Sequence, residues 1–216
     1  VTLQEIQERV LAWAGAPERG GWLLAARREH FEANGEPHEE DTRFEIRMNG
    51  LLDFYLHDFR PNGVDTTVEL FLKELGGGLT TDERAQVREM ARGRRGLYEG
   101  RRIRPGEIRV RDVFTGGEHD VVERRSPVGL QKGDLVDARL LPHEGRLHFS
   151  AASLFHPREV RRRILKEARR RSRAAGRGTD ADVPTFLAQL SRMALKLERY
   201  RNVRVESIYD FAPARR

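Results

Sequence analysis

The sequence predicts an α+β protein in which a helical N-terminal region is followed by a small antiparallel β-barrel or sheet and then by C-terminal helices. Three observations support this fold class. Apolar residues follow helical spacing over residues 1–96, and short β-branched segments separated by turns occupy residues 97–155. Helical spacing then returns over residues 156–216. We therefore expect three regions with these boundaries.

The helices of the first region are delimited by capping residues and by glycine and proline. Thr2 with Glu5 and Thr80 with Glu83 have the spacing of a capping box, and Asp65 is a further candidate cap. Segments rich in glycine and proline separate the apolar stripes. The predicted helices span residues 2–13, 22–33, 44–59, 65–75 and 82–92.

The second region has the composition of short strands. Ile108, Val110 and Val121 are β-branched, and the turn signals Pro105-Gly106 and residues 115–117 separate the short segments to which they belong. The segments on either side of residues 142–145 are apolar, which indicates a β-hairpin. We expect four or five antiparallel strands that form a small barrel or a curled sheet.

Two helices and a tail are predicted in the third region. Pro157 suits the first position of a helix whose apolar stripe includes Val160 and Ile164. A second helix is expected to begin near Asp182, and residues 202–211 to form an extended or irregular tail.

Composition excludes several classes of protein. Cysteine is absent, which excludes disulfides, thiolate zinc sites and cysteine nucleophiles. Charged residues make up 34% and the mean hydropathy is -0.67, and the longest apolar runs are too short to span a bilayer. We find no secretory signal. These features favour a cytoplasmic protein without a membrane partner, and no motif predicts a cofactor.

Charge is distributed unevenly along the chain. The net charge is +6, yet residues 1–83 carry a net charge of −9. Residues 84–104 carry +6 and residues 158–177 carry +8. Because clustered cations attract polyanions more strongly than dispersed ones, these two arginine-rich blocks indicate an anionic partner.

From this layout we predict a non-enzymatic accessory protein that binds DNA or RNA through phosphate contacts. Arginine forms bidentate contacts to phosphate, and such contacts position a protein without reading sequence. The expected contact residues are Arg158, Arg161, Arg162, Arg163, Lys166, Arg169, Arg170 and Arg173 in the C-terminal block, helped by Arg94, Arg95, Arg101 and Arg102.

Two other interpretations of the basic helix remain open. It could bind an acidic protein, so that the chain acts as a protein–protein adaptor through its acidic N-terminal and basic C-terminal surfaces. It could also be a solvated helix face whose arginines form ion pairs within the molecule. In either case the acidic residues 1–83 could cover the basic helix.

Signals for an enzyme are weak. Asp53 and His57 have the i, i+4 spacing that places a carboxylate beside an imidazole, and His119 lies near Glu123. Such pairs occur in metal sites and in acid–base catalysis, but they are more often structural hydrogen bonds. We therefore predict no catalytic residue and no metal ligand.

Three segments resemble a group of uncharacterised bacterial proteins, many of which carry a C-terminal SEC-C zinc-binding tail. The segments are residues 52–72, 110–150 and 197–211. The resemblance implies an intracellular protein with a helical region followed by a small β module, and it implies no activity. The zinc-binding tail is not carried over because this sequence contains no cysteine.

Overall fold

The computed structural model describes residues 1–122, 130–174, 183–200 and 202–211. It confirms the α+β class: helices precede a closed five-stranded barrel with one additional strand, and further helices follow the barrel. Within the described residues, no helix has the length and apolar character needed to cross a bilayer.

Five helices form the N-terminal region. The predicted capping boxes at Thr2 and Thr80 are present, with Glu5 and Glu83 as their reciprocal partners. The helices are α1 (Leu3–Ala14), α2 (Gly20–Asn34), α3 (Phe44–His57), α4 (Thr67–Leu75) and α5 (Thr81–Met90). Side chains of α1, α4 and α5 share one apolar core, which also includes Leu141 of the barrel.

The cap of α4 differs from the prediction. Thr66, not Asp65, is the N-cap, and its hydroxyl accepts from the amide of Glu69 in a capping box. Both Asp65 oxygens instead accept from Lys73 Nζ at 2.7 Å. A capping box satisfies two free amide groups of the helix start reciprocally, so it explains the preference for Thr66.

The barrel is built from strands β1 (Arg94–Arg104), β2 (Glu107–Asp112), β3 (Glu118–Val122), β4 (Leu135–His143) and β5 (Arg146–Phe149). The order is β1-β2-β3-β5-β4, and β4 pairs with β1 to close it. All pairs are antiparallel except β3 with β5. A sixth strand, β6 (Leu154–His156), pairs with the first half of β4. The barrel begins at Arg94, three residues before the predicted start.

The predicted hairpin joins β4 to β5. Its two turn residues are Glu144 and Gly145, with φ of 51° and 70°. Positive φ at both central positions matches the right-handed twist of the flanking strands. The amides of both residues donate to the carboxylate of Glu89 at 2.8 Å, which ties the hairpin to α5.

Within the described residues, three helices follow the barrel: α6 (Arg161–Ala174), α7 (Val183–Arg199) and α8 (Val205–Ile208). The short helix α8 lies where an extended or irregular tail was expected. Its Ile208 is buried against α6 and α7, and burial of an apolar residue in this core favours an ordered turn there. Tyr209, which follows α8, is also buried, and its hydroxyl lies 3.2 Å from His156 Nδ1.

Candidate nucleic-acid interface

The arginine-rich helix α6 is held on the barrel by one apolar face. Ile164 and Ala168 of α6, together with Val160 just before it, are buried against Leu97 of β1 and Leu135 of β4. Because these residues recur at helical spacing, the opposite face of α6 is left to the solvent.

The start of α6 is fixed by a loop that is fastened to β1. Arg158 donates to Asp134 at 2.5 Å and to Gln131 at 2.7 Å. The loop is bound to Gly100 through two main-chain hydrogen bonds, from Gly100 to Asp134 and from Gly133 to Gly100. A Cβ at Gly100 would lie 2.7 Å from the Gln131 carbonyl oxygen, so only glycine allows this close approach.

Half of the cations predicted in this block have partners within the protein. Arg158 is paired as described, and Arg161 donates to Glu99. Arg163 donates to the main-chain carbonyl of Glu206 at 2.9 Å. Arg170 and Arg171 both donate to Glu167, a buried carboxylate whose pKa they lower to about 2, and Arg170 has the larger effect.

The other four cations form a separate row on the exposed face of α6. Arg162, Lys166, Arg169 and Arg173 are spaced i, i+4, i+7 and i+11 and are all exposed. At 3.6 residues per turn they fall within an arc of about 60°. In the described part of the chain, no group forms a hydrogen bond or ion pair with any of them. We call these four residues the basic stripe.

The second arginine-rich block meets α6 at one carboxylate. Arg101 Nη1 lies 3.5 Å from Glu99 Oε2, and Arg161 donates to Oε1 of the same side chain. Arg101 and Arg102 are both exposed on β1. This part of the second block therefore borders the N-terminal end of α6.

Arg94 and Arg95 do not reach this surface. Arg95 donates to both oxygens of Asp137, at 2.9 and 2.7 Å, and both arginines line a cleft on another side of the barrel. Along an extended strand, Arg94 and Arg101 are separated by roughly 20 Å. The structure thus divides the predicted block, and Arg94 and Arg95 lie on a different side of the barrel from the basic stripe.

The acidic N-terminal region leaves the basic stripe uncovered. Its carboxylate Asp41 accepts two hydrogen bonds from Arg199 of α7. Arg47 of the same region pairs with Glu198 at 2.8 Å. Residues 1–83 and α6 are both fully described, and no hydrogen bond or ion pair joins them.

Of the two predicted carboxylate–histidine pairs, the structure describes both members of one, Asp53 and His57. Asp53 and His57 are both buried on α3, but no hydrogen bond joins them within the described structure, and neither ring nitrogen of His57 has a partner. Burial raises the pKa of Asp53, whose carboxyl group is hydrogen-bonded to Ser150. His119 packs edge-on against Tyr98, and Glu123 lies outside the described residues. Among the described residues, no group of acidic or histidine side chains could hold a metal ion.

A network of buried charges was missed by the sequence analysis. Arg139 is 2% exposed and donates to Asp58 and to the main-chain carbonyl of Gly93. Two strand positions away, Asp137 is equally buried and pairs with Arg95. Charged residues are almost never fully buried unless they are paired. Their presence inside the apolar segment of β4 was the signal that could have revealed the network.

Comparison with known proteins assigns the chain to a family without a described activity. No curated protein and no solved structure matches it. The model of a family of unknown function, DUF7986, matches residues 35–188, which include the whole barrel and all of α6. Because this match covers well over half of the chain, the protein belongs to the DUF7986 family of unknown function.

Proposed function

We propose that this protein binds DNA or RNA through the basic stripe and acts by binding rather than by catalysis. The observation that carries the proposal is the division of the α6 cations. Arg158, Arg161 and Arg170 pair with carboxylates within the protein, whereas no carboxylate among the described residues pairs with Arg162, Lys166, Arg169 or Arg173, which share one exposed face. A row of four unpaired cations creates a strong local positive potential.

Phosphate groups are the ligands that suit such a row. Each contact between a cation and a phosphate releases condensed counterions, which drives binding and makes it strongly dependent on salt. Arginine forks and the lysine ammonium group would fix the orientation of the strand on α6. Since phosphates carry no sequence information, we expect weak discrimination between base sequences.

The adjoining surface supports the same ligand. Arg101 and Arg102 extend the positive potential from the start of α6 onto β1. A closed five-stranded barrel in the order β1-β2-β3-β5-β4 also has the topology of the OB-fold, an architecture that hosts oligonucleotide binding in other proteins. One fold hosts many functions, so this likeness is support by analogy alone.

The proposal is tested by fluorescence anisotropy of labelled single- and double-stranded DNA and RNA, titrated with the intact chain over a range of salt concentrations. We expect affinity to fall steeply with salt. The Arg162→Glu/Arg169→Glu variant should bind at least about tenfold more weakly, and its log–log salt slope should be shallower by about 2.

A matched control separates a local interface from the overall charge. Arg28 on α2 and Arg88 on α5 are exposed, and no described group pairs with them. Arg28→Glu/Arg88→Glu changes the net charge by the same amount, so it should leave most of the affinity intact. Equal losses of affinity for DNA or RNA in the two double variants would contradict an interface on α6.

The same titration distinguishes nucleic acid from an acidic protein partner. A protein that tracks phosphates gains apparent affinity on longer strands because they offer more overlapping sites. Absence of binding to any strand at low salt would overturn the proposal and favour the adaptor function.

A further inference from the structure

A second candidate site lies on another side of the molecule from the basic stripe. An open cleft of about 1440 Å³ separates α2 and α3 from the end of the barrel at which β1 begins, and the first turns of α7 form its third side. Small-molecule sites typically enclose about 300–1,000 Å³, so the cleft has room for a ligand of that class. The exposed arginines of the basic stripe do not line it.

The described walls of the cleft carry an excess of positive charge. They contain seven arginines and three acidic residues. Some of these arginines are neutralised, as Arg95 is by Asp137. Arg92, however, is exposed and has no partner among the described residues, and Arg192 donates to the main-chain carbonyl of Glu32, which leaves its charge uncompensated. This arrangement favours an anionic ligand.

The walls also contain aromatic rings that are not fully covered. Phe54 of α3, Phe114 after β2 and His119 of β3 are each partly buried, and all three line the cleft. The His119 ring packs edge-on against Tyr98, with 6.2 Å between the ring centroids. Rings at the wall of a cleft provide flat surfaces on which a planar group can stack.

Among the described residues, a buried polar atom of one cleft-lining side chain has no hydrogen-bond partner. His30 is 5% exposed, and no hydrogen bond is made by its Nδ1. Its side chain lines both the cleft and a recess of about 40 Å³ behind it. Burial, with a contribution from Arg95, lowers the pKa of His30 to about 3, so the ring is neutral at physiological pH. Buried polar atoms in native proteins are rarely left unsatisfied, which indicates a ligand or water partner here.

We propose that this cleft binds a nucleotide whose phosphates contact the arginines of its walls, Arg92 among them, and whose base lies among the partly buried aromatic rings. Arginines without a carboxylate partner bind phosphate, and the aromatic walls accept a planar base. Inorganic phosphate alone would leave the rings unused. An apolar ligand would leave the arginines desolvated without compensation.

The proposal is tested by isothermal titration of the full chain with ADP and GDP, with ribose 5-phosphate and pyrophosphate as comparison ligands. We expect at least one nucleotide to bind with a micromolar Kd, and ribose 5-phosphate to bind at least about tenfold more weakly because it lacks the base. Absence of nucleotide binding at about 1 mM would overturn the proposal. So would pyrophosphate binding as tight as that of the nucleotides.

Variants locate the site. Arg92→Glu should weaken nucleotide binding at least about tenfold, since it replaces a phosphate contact by a repulsive charge. Arg28→Glu, an exposed substitution outside the cleft, should leave the Kd within about twofold. Thermal melting would verify that both variants fold. An unchanged Kd in Arg92→Glu would contradict this site, whereas nucleotide binding retained in Arg162→Glu/Arg169→Glu would show that the cleft is independent of the basic stripe.

Discussion

Arg161 at the start of α6 donates a hydrogen bond to Glu99 on β1, and the two residues are 62 positions apart in the sequence. Arg101 approaches the other oxygen of the same carboxylate at 3.5 Å. One buried acidic side chain thus brings together the two arginine-rich blocks and reduces the repulsion between them. Without it, the start of α6 would present uncompensated positive charge to β1.

Glu99→Gln should therefore destabilise the fold. The side chain of Glu99 is 9% exposed, and its neutral replacement leaves Arg161 without an anionic partner. We expect the free energy of unfolding to fall by about 1–3 kcal/mol in urea titrations. Glu118→Gln is the control, because Glu118 is half-exposed and lies 3.9 Å from Arg101, so its loss should cost less than about 0.5 kcal/mol. Equal costs for the two variants would contradict a central role for Glu99.

Arg95→Met should affect stability and not nucleic-acid binding. The substitution keeps an unbranched apolar stem but leaves Asp137, which is 2% exposed, without its bidentate partner. We expect a loss of about 3–5 kcal/mol in the free energy of unfolding. If the proposed function holds, the folded variant should bind DNA and RNA as tightly as the intact chain. A fall as large as that of the Arg162→Glu/Arg169→Glu variant would place Arg95 in the interface.

His57→Leu should make the protein less sensitive to acid. Burial lowers the pKa of His57 from 6.5 to about 3, and Arg139 adds to this effect. As pH falls from 6.5 towards 3, the His57 imidazole is therefore protonated in the unfolded chain before it is protonated in the folded protein. The free energy of unfolding decreases across that range. At pH 5 the loss due to His57 is about 2 kcal/mol.

Urea titrations at pH 7.5 and pH 5 check this expectation. Because neither ring nitrogen of His57 has a hydrogen-bond partner, leucine should cost less than about 1 kcal/mol at pH 7.5. At pH 5 the variant should be more stable than the parent protein. Parallel loss of stability in both proteins between the two pH values would show that His57 does not contribute.

Gly100→Ala tests the attachment of the loop that fixes α6. The added methyl group would lie 2.7 Å from the Gln131 carbonyl oxygen, a main-chain atom that cannot rotate away. We expect a loss of about 1–3 kcal/mol in the free energy of unfolding. Gly77→Ala is the control, since a Cβ at Gly77 meets no atom within 4 Å, and its effect should stay below about 0.5 kcal/mol. Comparable losses of stability in the two variants would show that the short distance from Gly100 to the Gln131 carbonyl does not determine the cost.

Local patterns predicted most of the fold. The capping boxes at Thr2 and Thr80 and the hairpin at Glu144-Gly145 depend on residues close in sequence, and the structure confirms them. The parallel pairing of β3 with β5 could not be predicted, because it joins strands that no short turn connects. The helix α8 was also missed, since its order depends on burial of Ile208 against distant helices.

The positive charge of the candidate site could be predicted from the sequence, but which of its cations have partners within the protein could not. Helical spacing alone places Arg162, Lys166 and Arg169 on one face. Whether they form ion pairs depends on where the acidic side chains lie in the folded protein. Glu99 and Glu167 accept hydrogen bonds from the neighbouring arginines, and Asp41 of the acidic N-terminal region accepts them from Arg199. These pairings are tertiary contacts. Sequence patterns alone could therefore not separate the paired cations from those without a partner among the described residues, nor could they place Arg95 beside Asp137.

The length of the basic stripe limits its footprint on a strand. From Arg162 to Arg173, the helix rises by about 16 Å at 1.5 Å per residue. One strand of a duplex advances 3.4 Å per nucleotide, so the stripe spans about five nucleotides. If the proposed function holds, a single molecule would contact a short stretch of phosphates at any moment, and since no base would be read, the same contacts could form again one nucleotide further along. A rigid helix of this length would then favour movement along a polyanion over binding at a fixed position.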